Sequence, residues 1–318
     1  MSQSCRFPRT ASTIAAAALW LAVAGTARGA PPEVIATVKP VHSIAAAVMD
    51  GVGVPRLLID GAASPHTYAL KPSDAKALNG ARLIIRVSPG LETFLDSTLK
   101  SLPKSVRVLS LDRAEGMVLL AVRTGANFDG DDHGHGHGHG KSKSAAMDAH
   151  IWLDPRNAAA IAGAVAGALS DIDPANAEAY RTNAKRASDK FANLDRELES
   201  LARPLAGKPF VVFHDAYQYA EKRYGLTAVG AITVSPEIQP SAKRLQALRR
   251  TIQRLHAHCV FVEPQFPPKL IDTIIEGSKA RRGTVDPLGV AIPAGPDHYA
   301  TLMRTLIADF AACLAPRS

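Results

Sequence analysis

The feature that most constrains the fold is a long apolar seam in the middle of the chain. Asp173 and Pro174 form a strong helix start, and Pro204 and Gly207 end the segment. Between them, apolar side chains recur at alternating intervals of three and four residues, which predicts one helix about 42 Å long with a narrow apolar face. The seam consists of Ala177, Tyr180, Ala184, Ala187, Phe191, Leu194, Leu198 and Leu201.

A helix of this kind is either a coiled-coil strand for dimerisation or a rigid strut across two lobes. Short apolar runs alternate with helical segments on both sides of it, which favours the strut and predicts parallel-rich sheets flanked by helices. We therefore predict an α/β fold of two lobes joined by one long helix. The predicted parts are an N-terminal lobe at 30–172, the linking helix at 173–203 and a C-terminal lobe at 204–318.

The first 29 residues have the pattern of an export signal. Arg6 and Arg9 precede an apolar run of 11 residues, Ile14 to Ala24, which is too short to span a bilayer, and small residues follow it. We predict cleavage between Ala27 and Ala30 and a periplasmic, monomeric product that does not itself span the membrane. Cleavage removes three arginines and no acidic residue, so the net charge falls from +8 to +5. Aromatic residues are few and no basic run is interleaved with them, so nucleic acid is not an expected partner.

Two cysteines, Cys259 and Cys313, remain in the mature chain. An even number in an exported protein suggests one disulfide, which would tie the last helix to an internal strand. The alternative is a pair of soft metal ligands. That alternative is weaker because neither cysteine has a second Cys or His at the spacing of a metal finger.

Three histidines stand in short, separate segments: His66 in Ser-Pro-His-Thr-Tyr, His150 in His-Ile-Trp-Leu-Asp-Pro, and His214 in Phe-His-Asp-Ala-Tyr. Ligands of open α/β sheets bind at the carboxyl ends of strands, where these histidines are expected. Neutral imidazole is a favoured ligand of zinc. We therefore predict a Zn²⁺ site formed by the three histidines, with Asp286 or water in the fourth position. His42, His256, His258 and His298 are given no ligand role, and His298 is expected at the surface.

A second group of histidines lies in a polar segment at 128–144, which is predicted to be a mobile loop. Alternating glycines would let these imidazoles converge on a metal, in weaker and exchangeable sites. The alternative is an insertion that basic transport does not need. The histidines are His133, His135, His137 and His139.

Six segments together resemble the periplasmic zinc-binding proteins of ABC-type zinc uptake systems, the ZnuA family. The resemblance runs from about Glu33 to the C-terminus. The segments are Ser64-Pro-His-Thr-Tyr-Ala-Leu-Lys-Pro-Ser-Asp74, His150-Ile-Trp-Leu-Asp-Pro155, Phe213-His-Asp-Ala-Tyr217, Pro236-Glu-Ile-Gln-Pro240, Cys259-Val-Phe-Val-Glu-Pro-Gln-Phe266 and Thr284-Val-Asp-Pro-Leu-Gly289.

This resemblance implies metal bound between two lobes by His66, His150 and His214, delivery to an inner-membrane ABC permease, and a bridge between Cys259 and Cys313. Relatives that bind manganese usually carry a carboxylate at the third position, so His214 favours zinc. Some zinc-binding members have an acidic residue before the first histidine, where this chain has Pro65. The departure points to Asp286 or water as the fourth partner.

Three other functions are alternatives to a zinc receptor. A zinc hydrolase needs an open coordination position and a general base, and the chain has no His-Glu-x-x-His helix. A receptor for manganese or another divalent metal is the nearest alternative. A periplasmic zinc-buffering protein would act through the histidine-rich loop alone. The three separate histidine segments favour the receptor, so we expect no enzymatic activity.

Overall fold

The computed structural model contains two separate parallel sheets of four strands each. It describes residues 30–123, 128, 146–233, 236, 239–266 and 274–315, so the predicted export signal and the histidines at 133–139 lie outside the described residues. The first sheet has the order β2-β1-β3-β4 and the second the order β6-β5-β7-β8. The strands are β1 (Val34–Ala36), β2 (Arg56–Leu57), β3 (Leu83–Arg86), β4 (Arg107–Ser110), β5 (Pro209–His214), β6 (Thr227–Thr233), β7 (Cys259–Val262) and β8 (Arg281–Thr284).

All strand pairs within the two sheets are parallel. Parallel strands need helical crossovers, which cover the sheets and bury their apolar runs. The two-lobed α/β fold predicted from the alternating pattern is therefore confirmed. The lobe boundaries drawn from the sequence stay a prediction. The helices are α1 (Lys39–Val48), α2 (Pro72–Gly80), α3 (Asp96–Ser101), α4 (Pro155–Ile172), α5 (Ala177–Ala202), α6 (Gln218–Tyr224), α7 (Ala242–Arg254) and α8 (His298–Leu314).

Helix α5 is the predicted long helix, entered through a 3-10 turn at Pro174–Asn176. It packs along α4 and also contacts α1 and α8, so its apolar face is covered within the same chain. The predicted seam is buried from Tyr180 to Leu198, but Leu201 is 51% exposed and Ala202 is buried instead. A strict repeat of 3.5 residues drifts around a helix of 3.6 residues per turn, so in the fourth repeat Leu198 still faces the core but Leu201 has rotated away from it.

The bridge between Cys259 and Cys313 is present and joins β7 to α8, with an S–S distance of 2.04 Å. The predicted disulfide is confirmed. Gly283 in the neighbouring strand leaves room beside it. A Cβ at that position would lie 2.4 Å from the Phe261 ring and 3.1 Å from Cys313 Cβ.

The segment before α8 attaches the C-terminal part of the chain to the N-terminal lobe. Trp152 Nε1 donates to the Pro287 carbonyl at 2.8 Å, and Lys39 Nζ donates to the Val290 carbonyl at 2.8 Å. His298, expected at the surface, is only 2% exposed, and its Nε2 lies 3.0 Å from the Leu288 carbonyl. That expectation was wrong because a helix start gives no sign that another loop will cover it. No helix within the described residues is both long enough and apolar enough to cross a membrane.

Candidate metal centre

Three imidazole rings from both lobes converge on one point. His150 Nε2 lies 3.4 Å from His66 Nε2 and 3.2 Å from His214 Nε2, and the three candidate ligand atoms all lie within 4.8 Å of one another. Tetrahedral zinc with Zn–N bonds of about 2.0–2.1 Å holds its nitrogen ligands about 3.3 Å apart. The two closest spacings therefore match the edge of a zinc coordination tetrahedron.

Each histidine arrives from a different local structure. His66 lies in a turn after β2, where its backbone N–H donates to Ser64 Oγ at 3.3 Å. His150 immediately precedes a 3-10 turn at Ile151–Leu153. His214 is the last residue of β5, so the strand-end position predicted for it is confirmed. His66 and His150 are delivered by loops rather than directly by strand ends.

A carboxylate orients the ring of His150. Asp148 Oδ1 lies 2.8 Å from His150 Nδ1 and also accepts the His150 backbone N–H at 2.9 Å. Asp148 is itself 4% exposed, and its second oxygen accepts from Gln218 Nε2 at 3.3 Å. A proton held on Nδ1 by the carboxylate leaves the lone pair of Nε2 free to bind a metal.

His214 has an equivalent partner in the second lobe. Its Nδ1 lies 2.7 Å from Glu263 Oε2, and its backbone N–H donates to Glu263 Oε1 at 3.3 Å. Glu263 directly follows β7, and its side chain is fully buried. The carboxylate thus supports the charge that a metal places on the imidazole.

The pKa shifts of His66 and His214 have opposite directions. Burial, with repulsion from His150 and His214, lowers the pKa of His66 to about 2, so this ring stays neutral and able to bind a metal. Burial by itself would lower the pKa of His214, but attraction from Glu263, Asp215 and Asp148 outweighs it and raises that pKa. Protons therefore compete with metal more strongly at His214 than at His66.

Asp286, the candidate fourth ligand, is not brought into the histidine group. Its Oδ1 accepts from Gln265 Nε2 at 2.7 Å and from the Leu288 backbone N–H at 3.0 Å, and its Oδ2 accepts the Val290 backbone N–H at 2.6 Å. The two backbone bonds stabilise the turn in which Pro287 lies against Trp152. The wall of the centre on this side is largely apolar, formed by Pro65, Trp152, Phe266, Pro287 and Leu288.

Sequence reasoning did not assign the carboxylates that support the ring nitrogens. Asp215 and Tyr68 are nearby in sequence, but Asp215 pairs with Arg123 and Tyr68 donates to Asp74 at 2.8 Å. Asp148 could have been suspected because it stands two residues before His150. Glu263 has no such signal, since 49 residues separate it from His214.

Two lobes of parallel sheet, spanned by one long helix and holding three convergent imidazoles between them, define a receptor fold with a candidate metal centre in its cleft. The chain belongs to the ZnuA family, described as "Zinc-uptake complex component A periplasmic", whose sequence model matches residues 34–313. A protein of Brucella suis biovar 1 (strain 1330) named "High-affinity zinc uptake system protein ZnuA" is 44% identical over 305 residues, which cover 89% of this chain and 91% of that protein.

Solved structures have the same fold. One described as "Crystal structure of ZnuA" superimposes with a TM-score of 0.75 at 22% identity, covering 90% of this chain and 100% of that one. The periplasmic zinc binding protein TroA from Treponema pallidum superimposes with a TM-score of 0.74 at 20% identity, with the same coverage of both chains. At these identities the likeness concerns the fold alone.

Proposed function

We propose that this protein is the zinc receptor of an ABC importer and binds Zn²⁺ through His66, His150 and His214. The observation that carries the proposal is the convergence of one ring nitrogen from each of the three histidines within 4.8 Å of one another. The sequence relative in Brucella suis is named as a zinc uptake protein, which supports the same cargo. Receptor function then consists of holding zinc in the periplasm and releasing it to an inner-membrane permease.

The donor set favours zinc over manganese. Three neutral nitrogen donors suit zinc and its transition-metal neighbours, whereas manganese and magnesium prefer carboxylate and water oxygens. The carboxylates of Asp148 and Glu263 contact the Nδ1 atoms of His150 and His214 and support the ligands instead. Because the oxygens of Asp286 are engaged by Gln265 and by the backbone of its own turn, we infer that water takes the fourth position.

Calorimetric titration of the metal-stripped mature protein tests the proposal. We expect one tight zinc site that persists when residues 133–139 are deleted and that excess manganese does not displace. The deletion should lower only the number of weaker sites. Loss of the tight site with the deletion would identify a buffering protein that acts through the histidine-rich loop. Displacement by manganese would identify a receptor for a different metal.

Zinc affinity should fall as the pH is lowered. His214 has a raised pKa, so it takes up a proton before His66 does, and each pH unit below that pKa should weaken binding about ten-fold per displaced proton. Glu263→Gln removes the strongest attraction on that proton and should move the decline to lower pH. Competition with a chelator of known pH dependence measures both profiles. A constant affinity from about pH 5 to pH 8 would contradict histidine ligation.

A further inference from the structure

Arg123 connects the two lobes beside the metal centre. It belongs to the segment that precedes His150, yet its guanidinium binds two carboxylates of the second lobe, Asp215 and Glu221. Its Nη1 and Nη2 donate to Glu221 at 2.9 and 2.8 Å, and its Nε and Nη2 both donate to Asp215, with the Nε bond at 2.9 Å. Arg123 therefore makes a bidentate contact with each of the two carboxylates.

These charges are well shielded from water. The side chains of Arg123, Asp215 and Glu221 are 21%, 5% and 9% exposed. The ring of Phe128 covers the guanidinium at 3.6 Å, and the Phe128 backbone N–H donates to the Val229 carbonyl at 3.3 Å. An ion pair in such surroundings contributes more to holding two surfaces together than an exposed pair does.

Both ends of this contact are directly linked to metal ligands. Asp215 follows His214 in the chain. On the other side, the Arg123 segment pairs with the segment leading to His150, since the Val122 N–H donates to the Ala146 carbonyl and the Asp148 N–H to the Leu120 carbonyl, each at 2.8 Å. Asp148 in turn holds the His150 ring. Moving His214 away from His150 would therefore require the ion pairs of Arg123 with Asp215 and Glu221 to break.

We propose that Arg123 is a positioning residue, an interlobe latch whose ion pairs with Asp215 and Glu221 slow the release of zinc. This inference rests on the proposed function, because the latch acts on zinc held by His66, His150 and His214. Breaking a buried, hydrogen-bonded charge pair acts mainly on dissociation. Loss of the latch should therefore speed zinc release and leave zinc capture nearly unchanged.

The chain offers a matched control pair. Arg223 is 20% exposed and also binds two carboxylates, Asp195 and Glu199, but both belong to α5 and the contact does not cross the cleft. The test variant is Arg123→Gln with Glu221→Gln, and the control is Arg223→Gln with Glu199→Gln. Each double variant removes one positive and one negative charge, so neither changes the net charge around the site.

Zinc dissociation is measured by stopped-flow transfer to a chromophoric chelator in excess, and association by rapid mixing. We expect the Arg123 and Glu221 variant to release zinc at least about five-fold faster, with association within about two-fold of the wild type. The control variant should release zinc at the wild-type rate. Equal release rates in the wild type and the test variant would overturn the latch, and so would equal acceleration in both variants.

A conservative variant covers the case in which the double variant fails to fold. Arg123→Lys keeps the positive charge but loses the planar guanidinium that contacts each carboxylate through two nitrogens. The folded variant should therefore also release zinc faster than the wild type. A wild-type rate in this variant would then overturn the latch. Failure of the wild type to bind zinc tightly would refute the proposed function, whereas tight binding with unchanged release rates would refute the latch alone.

Discussion

Replacement of His214 by alanine is expected to weaken zinc binding by more than about 100-fold. Structural zinc sites in small peptides bind with roughly 10–16 kcal/mol shared among about four ligands, so one ligand contributes about 3 kcal/mol. The change also leaves Glu263 buried without the imidazole that faces it. Calorimetry of the metal-stripped variant, with a competing chelator to reach the wild-type affinity, measures the loss.

His258→Ala is the control for this substitution. His258 is an exposed histidine of the same lobe and lies outside the group formed by His66, His150 and His214. Its replacement should leave the affinity of the tight site unchanged. Retention of wild-type affinity by His214→Ala, in a protein with an unchanged circular dichroism spectrum, would show that zinc binds elsewhere.

Removal of the disulfide by Cys259→Ala and Cys313→Ala should destabilise the protein by about 4 kcal/mol. The bridge spans a sequence separation of 54 residues, and a loop of that length restricts the unfolded chain strongly. It also anchors α8, which carries the buried Tyr299 and Phe310 of the core. Urea unfolding of the zinc-free protein, followed by circular dichroism, measures the change.

Zinc binding should survive this double replacement below the unfolding transition, since neither cysteine belongs to the histidine group. Addition of a thiol reductant to the wild type is the control. It should reproduce the lower stability, while the double variant should not respond to reductant at all. A wild-type free energy of unfolding in the double variant would contradict a stabilising role for the bridge.

Most of the architecture follows from local patterns. The seam from Tyr180 to Leu198 and the apolar strand runs depend on periodicity, which neighbouring residues alone create. The burial of the last seam residue was not predicted correctly. Leu201 satisfies the spacing, but at that position the helix has rotated its side chain away from the core. The prediction that His298 lies at the surface also failed, since the loop that covers it belongs to a part of the fold that local sequence does not describe.

Some residues of the metal centre were also predicted from the sequence, whereas others were shown only by the structure. The residue types of His66, His150 and His214 already predicted nitrogen coordination and hence zinc, and the structure brings these three together. Asp286 was the candidate for the fourth position, but its oxygens accept hydrogen bonds from Gln265 and from two backbone N–H groups of its own turn. No role for Arg123 was predicted from the sequence, because its partners, Asp215 and Glu221, are 92 and 98 residues away.

The sequence by itself determined the two α/β lobes, the long helix between them, the disulfide partners and the three imidazoles. These depend on side-chain chemistry and on short-range periodicity, both of which can be read along the chain. Only the tertiary structure decided the spacing of the Nε2 atoms, the pairing of Asp148 and Glu263 with the ring nitrogens, and the contact of Arg123 across the cleft. Those features depend on how distant segments meet, because an ion pair or a ligand set is defined by distances in space.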